Sequence, residues 1–235
     1  MNIVVLTGAG ISAESGISTF RAADGLWENH RIEDVASPEG FLRDPALVHH
    51  FYNLRRAQLH EVAPNRAHQG LAALERAWRG RGNFLLVTQN VDDLHERAGS
   101  TALLHMHGEL RKLRCAGCGA AGRWLEAAGV ETRCPACDAA AMRPDIVWFG
   151  EIPYHMNEIM AALDQADLFC AIGTSGVVYP AAGFAAEARR NGRGCVLYEI
   201  NPVPTGALYF DHVIAAPAGE GVPEFLSRLG VAEAV

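Results

Sequence analysis

The chain has 235 residues, 49% hydrophobic and 20% charged, the balance of an ordinary globular protein with enough apolar material for one substantial core plus a small appended module. Its formal net charge is -7 and no basic run could track a phosphate backbone, which argues against nucleic acid as a direct ligand and suits a basic, lysine-bearing peptide better. No segment approaches the roughly 18 apolar residues of a membrane span, and Met1-Asn2-Ile3-Val4-Val5-Leu6 has none of the features of a secretory signal, so the expected setting is the cytoplasm with no membrane partner.

Short apolar runs recur at Ile3 to Leu6, Phe84 to Val87, Leu168 to Ile172, Cys195 to Ile200 and Val213 to Ala215, with helix-like or irregular stretches between them. That alternation predicts an α/β fold: a Rossmann-like, doubly wound, mostly parallel sheet covered by helices. Two intervals interrupt it, which divides the chain into a Rossmann-like domain (1–25, 65–112 and 143–235), a helical insertion (26–64) and a metal-binding module (113–142), the two insertions together forming a small lobe.

Directly after the first apolar run comes Thr7-Gly8-Ala9-Gly10-Ile11-Ser12-Ala13-Glu14-Ser15-Gly16. Glycines there let the backbone turn sharply and bring its N–H groups against a pyrophosphate at the start of a helix. The spacing departs from the usual dinucleotide fingerprint, with five residues between Gly10 and Gly16, and no acidic residue closes a second strand about 20 positions on, as hydride-transfer enzymes require. A tight strand-to-helix turn with no ligand is the alternative.

Within the first insertion, Asp44 as N-cap, Pro45 at the first helical position and an apolar row at Leu47, Phe51 and Leu54 predict a helix ending before Pro64. Tyr52 and Arg55 lie three apart on it, so both side chains share a face; an arginine beside a phenol can hold a carboxylate through charge-assisted hydrogen bonds. The alternative is packing, with Tyr52 continuing a row with Val48 and Leu59, and Arg55 and Arg56 forming an exposed charge pair. In the second insertion, Cys115-x-x-Cys118, a gap of 15 residues, then Cys134-x-x-Cys137 matches a four-thiolate zinc site. Four protein thiolates fill the coordination sphere, so a single zinc there is structural. Cys170 and Cys195 sit in apolar runs and read as small core residues.

The string Gly8 to Arg21, followed in order by Thr88-Gln89-Asn90-Val91-Asp92, His105-Met106-His107-Gly108 and Gly173-Thr174-Ser175, resembles the sirtuin family over nearly the whole chain. The resemblance implies an NAD-dependent protein-lysine deacylase. The acyl amide oxygen attacks the ribose C1′ of NAD as nicotinamide leaves, a ribose hydroxyl then attacks the resulting imidate, and water releases lysine and O-acyl-ADP-ribose. It assigns His107 as the general base, a task suited to an imidazole with an unperturbed pKa of about 6.5, and leaves His105 structural. It puts Asn90 on the ribose and Asp92 on the nicotinamide carboxamide, with Gln89 beside them. Phe20 and Arg21 belong to a loop that closes over NAD, with Trp27 nearby, and Gly8, Ala9, Gly10, Ser12 and Glu14 form the opening turn. Gly173, Thr174, Ser175, Asn201 and Ala218 serve the adenosine side.

The same resemblance places the substrate peptide along Val147-Trp148-Phe149-Gly150 and Ala36 at the pocket wall. Tyr52-x-x-Arg55 is similar to the feature of the branch that removes succinyl, malonyl and glutaryl groups, with acetyl also expected. Other readings are a deacetylase with no acidic preference, a non-catalytic NAD-sensing scaffold, and a protein ADP-ribosyltransferase.

Overall fold

The computed structural model describes residues 1–18, 26–27 and 30–231, with backbone alone at 26 and 27. In chain order, β1 (Ile3–Thr7), β2 (Leu26–Trp27) and β3 (His30–Arg31) lead into the helical insertion, α1 (Ile32–Val35), α2 (Pro38–Arg43) and α3 (Pro45–Gln58). Then follow α4 (Arg66–Trp78), β4 (Phe84–Thr88), α5 (Leu94–Ala98), β5 (Leu103–His105), β6 (Gly108–Cys115), β7 (Ala121–Arg123) and β8 (Met142–Ile146). The chain closes with α6 (Met156–Asp164), β9 (Leu168–Ile172), α7 (Phe184–Arg190), β10 (Val196–Ile200), β11 (His212–Ile214) and α8 (Ala218–Arg228).

Six strands form one parallel sheet in the order β11-β10-β9-β1-β4-β5. Counted within that sheet, the order runs third, second, first, fourth, fifth, sixth from the β5 edge, the doubly wound Rossmann arrangement. β1 and β9 read as continuous apolar runs because both faces are covered. On one face Ile3, Val5, Leu86 and Ile172 pack against Leu71 and Leu74 of α4 and Val222 and Phe225 of α8. On the other, Val4, Leu6, Phe169 and Ala171 pack against Ile159 and Leu163 of α6 and Phe184 of α7. Each such fully buried aliphatic or aromatic side chain contributes about 1.5–3 kcal/mol.

The order reverses between β1 and β9, so the turn after β1 and the turn after β9 meet there. They meet backbone to backbone. Gly8 N donates to Ile172 O at 3.0 Å and Gly10 N to Gly173 O at 2.9 Å. A Cβ on Gly10 would lie 2.6 Å from Gly173 Cα, and one on Gly173, whose φ is +61°, would lie 2.6 Å from Ile11 N. After β1 the chain enters two 3₁₀ turns, Ala9–Ile11 and Ala13–Ser15, where an α-helix start was expected. The tight approach to Gly173 and the left-handed Gly16, at φ +92°, account for the short turns.

The helix predicted in the first insertion is α3, capped by the Asp44 carboxylate accepting from Leu47 N at 2.9 Å. Phe51 is buried as expected, but Leu54 is 47% exposed because the buried face runs through Val48, Tyr52 and Leu59. Arg56, which the packing alternative put in an exposed charge pair, is buried and donates to Leu110 O, Asn53 Oδ1 and Glu126 O, tying α3 to the metal module. The module itself hangs on a three-stranded antiparallel sheet, β7-β6-β8, with Leu113, Met142 and Ala128 its only buried residues besides two cysteines in the local cluster. Among the described residues no helix is long and apolar enough to cross a membrane.

Candidate active site

The polar cluster beside the switch point is built by residues that follow β1 and β4. Asn90, after β4, is buried and its Nδ2 donates to Gly8 O and to Ser12 Oγ, both at 3.1 Å. Ser12 Oγ donates in turn to Asp92 Oδ2 at 3.0 Å, whose Oδ1 accepts from Leu94 N at 3.1 Å. Burial pushes the Asp92 carboxyl above its ordinary pKa, and the bonds from Leu94 and Ser12 restrain that rise. The side chains predicted to face ribose and carboxamide therefore form one chain with the glycine turn.

His107 lies in the turn between β5 and β6, followed by Gly108 at φ +83°, where a Cβ would meet Asp145 O at 2.0 Å. Its Nδ1 sits 3.1 Å from Gln89 O, a pure acceptor, so the neutral ring carries its proton on Nδ1 and leaves Nε2 basic. Burial pushes its pKa below the ordinary imidazole value, and the Gln89 carbonyl partly offsets this. His105 does the corresponding thing one peptide along, Nδ1 to Asn90 O at 3.1 Å, but its Nε2 is committed to Glu96 Oε1 at 2.8 Å. The second ring nitrogen distinguishes the two: His105 is paired to a carboxylate, whereas His107 keeps a basic nitrogen.

Beneath this layer lies a buried group that the sequence reading missed. Thr7 Oγ1 donates to Thr88 Oγ1 at 2.9 Å and meets His95 Nε2 at 3.0 Å; His68, its ring centroid 4.8 Å from that of His95, has Nε2 3.5 Å from Ser12 Oγ. Burial holds His68 down to about 4 and His95 well below its usual value, so both are neutral and act as hydrogen-bonding spacers. The only sequence signal was Asn65-x-x-His68, a capping box opening α4.

Among the residues expected on the adenosine side, Asn201 Nδ2 donates to Thr174 O at 2.8 Å, Thr174 is buried and Ser175 exposed. Glu14 accepts from Gly219 N at 2.7 Å, next to Ala218 at the start of α8, fastening the first turn to the last helix. Phe20 and Arg21 lie outside the described residues, as does the Trp27 side chain.

The residues expected on the substrate side gather at the small lobe. Ala36 O accepts from Phe149 N at 3.0 Å and His107 O from Val147 N at 2.9 Å, so residues 147–149 bridge the helical insertion and the His107 turn. Trp148 is buried while Phe149 and Gly150 are exposed. Tyr52 is fully buried and its hydroxyl accepts from Trp148 Nε1 at 3.0 Å. Arg55 is half-buried with its guanidinium carbon 5.3 Å from the Phe51 ring centroid.

The four cysteine sulfurs of the module lie within 4.8 Å of one another, with Cys115–Cys137 and Cys118–Cys134 both at 3.7 Å. A tetrahedron with Zn–S bonds of about 2.3 Å has edges of about 3.8 Å, so the donor set fits one structural zinc.

A sequence profile of the Sir2 family matches residues 8–180. The chain belongs to the Sir2 family. This sirtuin is 57% identical over 233 residues to the NAD-dependent protein deacylase of Bdellovibrio bacteriovorus, covering 97% of this chain and 96% of that one. It is 55% identical over 230 residues to the NAD-dependent protein deacylase of Escherichia coli K12, covering 97% and 81%. A solved Sir2 homologue in complex with NAD superposes with a TM-score of 0.87 at 40% identity, over 98% of this chain and 90% of that one. A Sir2–p53 peptide–NAD+ complex does so with a TM-score of 0.81 at 29% identity, over 98% and 94%.

Proposed function

We propose that this sirtuin, an NAD-dependent protein deacylase, removes succinyl and malonyl groups as well as acetyl groups from protein lysines, in the cytoplasm and without a nucleic-acid partner. The deacylase activity follows from family membership together with relatives of that name over almost the full chain. The observation that carries the acidic preference is the pairing of Tyr52 and Arg55 on one face of α3, with Tyr52 hydrogen-bonded to Trp148 of the substrate-side segment.

NAD supplies an electrophilic ribose carbon once nicotinamide departs. Asn90, held by Gly8 O and Ser12, is oriented for a ribose hydroxyl, and Asp92, held by Ser12 and Leu94 N, for an amide such as the nicotinamide carboxamide. His107 Nε2 takes the proton from the ribose hydroxyl that captures the acyl carbon. Gly8, Gly10, Gly173, Thr174, Ser175, Asn201 and Ala218 would line the rest of the dinucleotide path at the carboxyl edge of the sheet. Phe20 and Arg21 remain proposed closure residues, and Trp27 a proposed cofactor contact.

The N–H groups of Val147, Trp148 and Phe149 are already committed to His107 O, the Glu151 carboxylate and Ala36 O. An added peptide strand would therefore pair mainly through carbonyl oxygens, reading backbone more than sequence. The test is a panel of matched acetyl-, succinyl- and malonyl-lysine peptides with NAD, following nicotinamide release. Arg55→Met should cut succinyl kcat/KM at least tenfold more than acetyl kcat/KM, about the loss of one hydrogen-bonded charge pair; equal losses would remove the acidic preference.

A further inference from the structure

We infer that His95, buried beneath the candidate site, is a positioning residue: through the Thr7 and Thr88 hydroxyls it fixes the backbone that carries Asn90 and, one peptide earlier, the Gln89 carbonyl on which His107 rests. The inference rests on the roles proposed above for Asn90 and His107 and adds what holds both in place.

Thr88 Oγ1 accepts from Asn90 N at 3.0 Å and from Thr7 Oγ1 at 2.9 Å, and Thr7 Oγ1 lies 3.0 Å from His95 Nε2. All four residues are buried, so bulk solvent does not compete for these bonds. The direction of the chain follows from the ring. Burial holds the His95 pKa well below its usual value, so the imidazole is neutral and carries one N–H. Its Nδ1 is buried with no hydrogen-bond partner. A proton on Nδ1 would be a buried N–H without an acceptor, the rarer kind of orphan, whereas a proton on Nε2 is given to Thr7 Oγ1. Thr7, having accepted from His95, passes its own proton toward Thr88, and Thr88 holds the Asn90 amide with its other lone pair. Each bond then has one direction, and the segment Thr88-Gln89-Asn90 has one position.

Both ends of the proposed machinery hang from that segment. Asn90 Nδ2 is committed to Gly8 O and Ser12 Oγ, both at 3.1 Å, which leaves Oδ1 to accept from a ribose hydroxyl. Gln89 N donates to Thr7 O at 2.9 Å, and Gln89 O receives His107 Nδ1 at 3.1 Å. Once the Thr88 hydroxyl loses its fixed orientation, these groups drift together, and misplacing reacting groups by about 1 Å costs on the order of a hundredfold in rate. His95 itself faces Thr7 and the His68 ring, whose centroid is 4.8 Å away, so its influence reaches the site through the hydroxyls.

The test uses the whole zinc-loaded protein with NAD and an acetyl- or succinyl-lysine peptide, whichever the parent turns over faster, and a denaturant titration of every variant. His95→Leu removes the donor and should lower kcat at least tenfold while the KM for the peptide changes by less than about twofold. His95→Gln, whose amide N–H can replace Nε2 as the donor, should recover most of that loss. In a Thr7→Val background, where the link is already cut, His95→Leu should lower kcat no further. Losses that multiply, a Gln variant as slow as the Leu variant, or a kcat that merely tracks stability overturns the inference. Should His95→Leu fold poorly, the ring-nitrogen chemical shifts of His95 in native protein decide instead: a proton on Nε2 is expected, and one on Nδ1 rules the inference out. Asn90→Ala separates the two ways of failing. If that variant keeps full activity, the role proposed above for Asn90 falls and this inference with it; if it is inactive while His95→Leu is fully active, His95 alone loses its role.

Discussion

The two ring nitrogens of His107, the proposed general base, are unlike: one sits on the Gln89 carbonyl and the other is left basic. Because burial lowers its pKa, the neutral, basic ring persists to lower pH than a free imidazole would. The acyl-capture rate should therefore hold through pH 6.5 and decline only below it, which single-turnover measurements against pH will check; a half-point above 6.5 contradicts the assignment. His107→Tyr should lower deacylation a hundredfold or more, roughly the contribution of a positioned general base, while NAD affinity measured by calorimetry changes little. His105 cannot substitute, since Glu96 occupies its second nitrogen.

At the level of elements, the glycines after β1 and β9 have a job before any ligand arrives: they let two turns touch through their backbones. Gly173→Ala combines a positive φ with a Cβ 2.6 Å from Ile11 N, so it should destabilise the fold by about 2–3 kcal/mol or more. Its NAD affinity should fall further than its stability alone explains, measurable by denaturant titration beside calorimetry. The metal module has almost no core of its own, so its order depends on the thiolate site. Chelation of zinc, or Cys134→Ser, should unfold this lobe and cut activity, with protease cleavage appearing within 113–142; native-like protease resistance in metal-free protein would contradict a structural role. Arg56 extends the damage to α3, because its bonds to Leu110 and Glu126 span the two insertions.

Across the whole molecule, the buried histidines set the acid limit. His68, held down to about 4 by burial, binds a proton more readily when unfolded, so the unfolded chain takes up more protons between pH 4 and 6.5 and stability falls as pH drops through that window. His68 alone accounts for about 3 kcal/mol there, and His95 acts in the same direction. His105 opposes them: burial would lower its pKa, but the Glu96 carboxylate overrides this and raises it, which favours the fold at low pH and is lost as pH rises through that pKa. The melting temperature should fall from pH 7 to 5, and Glu96→Gln should steepen the fall; a shallower slope in that variant would show the pairing is not stabilising.

Much of this molecule was legible in the linear order of residues because the decisive signals are local. Apolar runs marked five of the six strands of the parallel sheet, the cysteine spacing marked a four-sulfur cluster that fits zinc, Asp44-Pro45 marked the start of α3, and short strings around Gly8, Asn90, His107 and Gly173 named residues that the fold brings together at the strand ends. The sixth strand, Leu103–His105, is three residues long and became a strand only by pairing with β4. Only tertiary structure could show that Arg56 is buried, that His68 and His95 stack beneath the site, and that Trp148 reaches Tyr52 across 96 positions of chain. Propensity and motif spacing act over a few residues, whereas burial and side-chain pairing are decided by whichever distant segments the sheet order brings together.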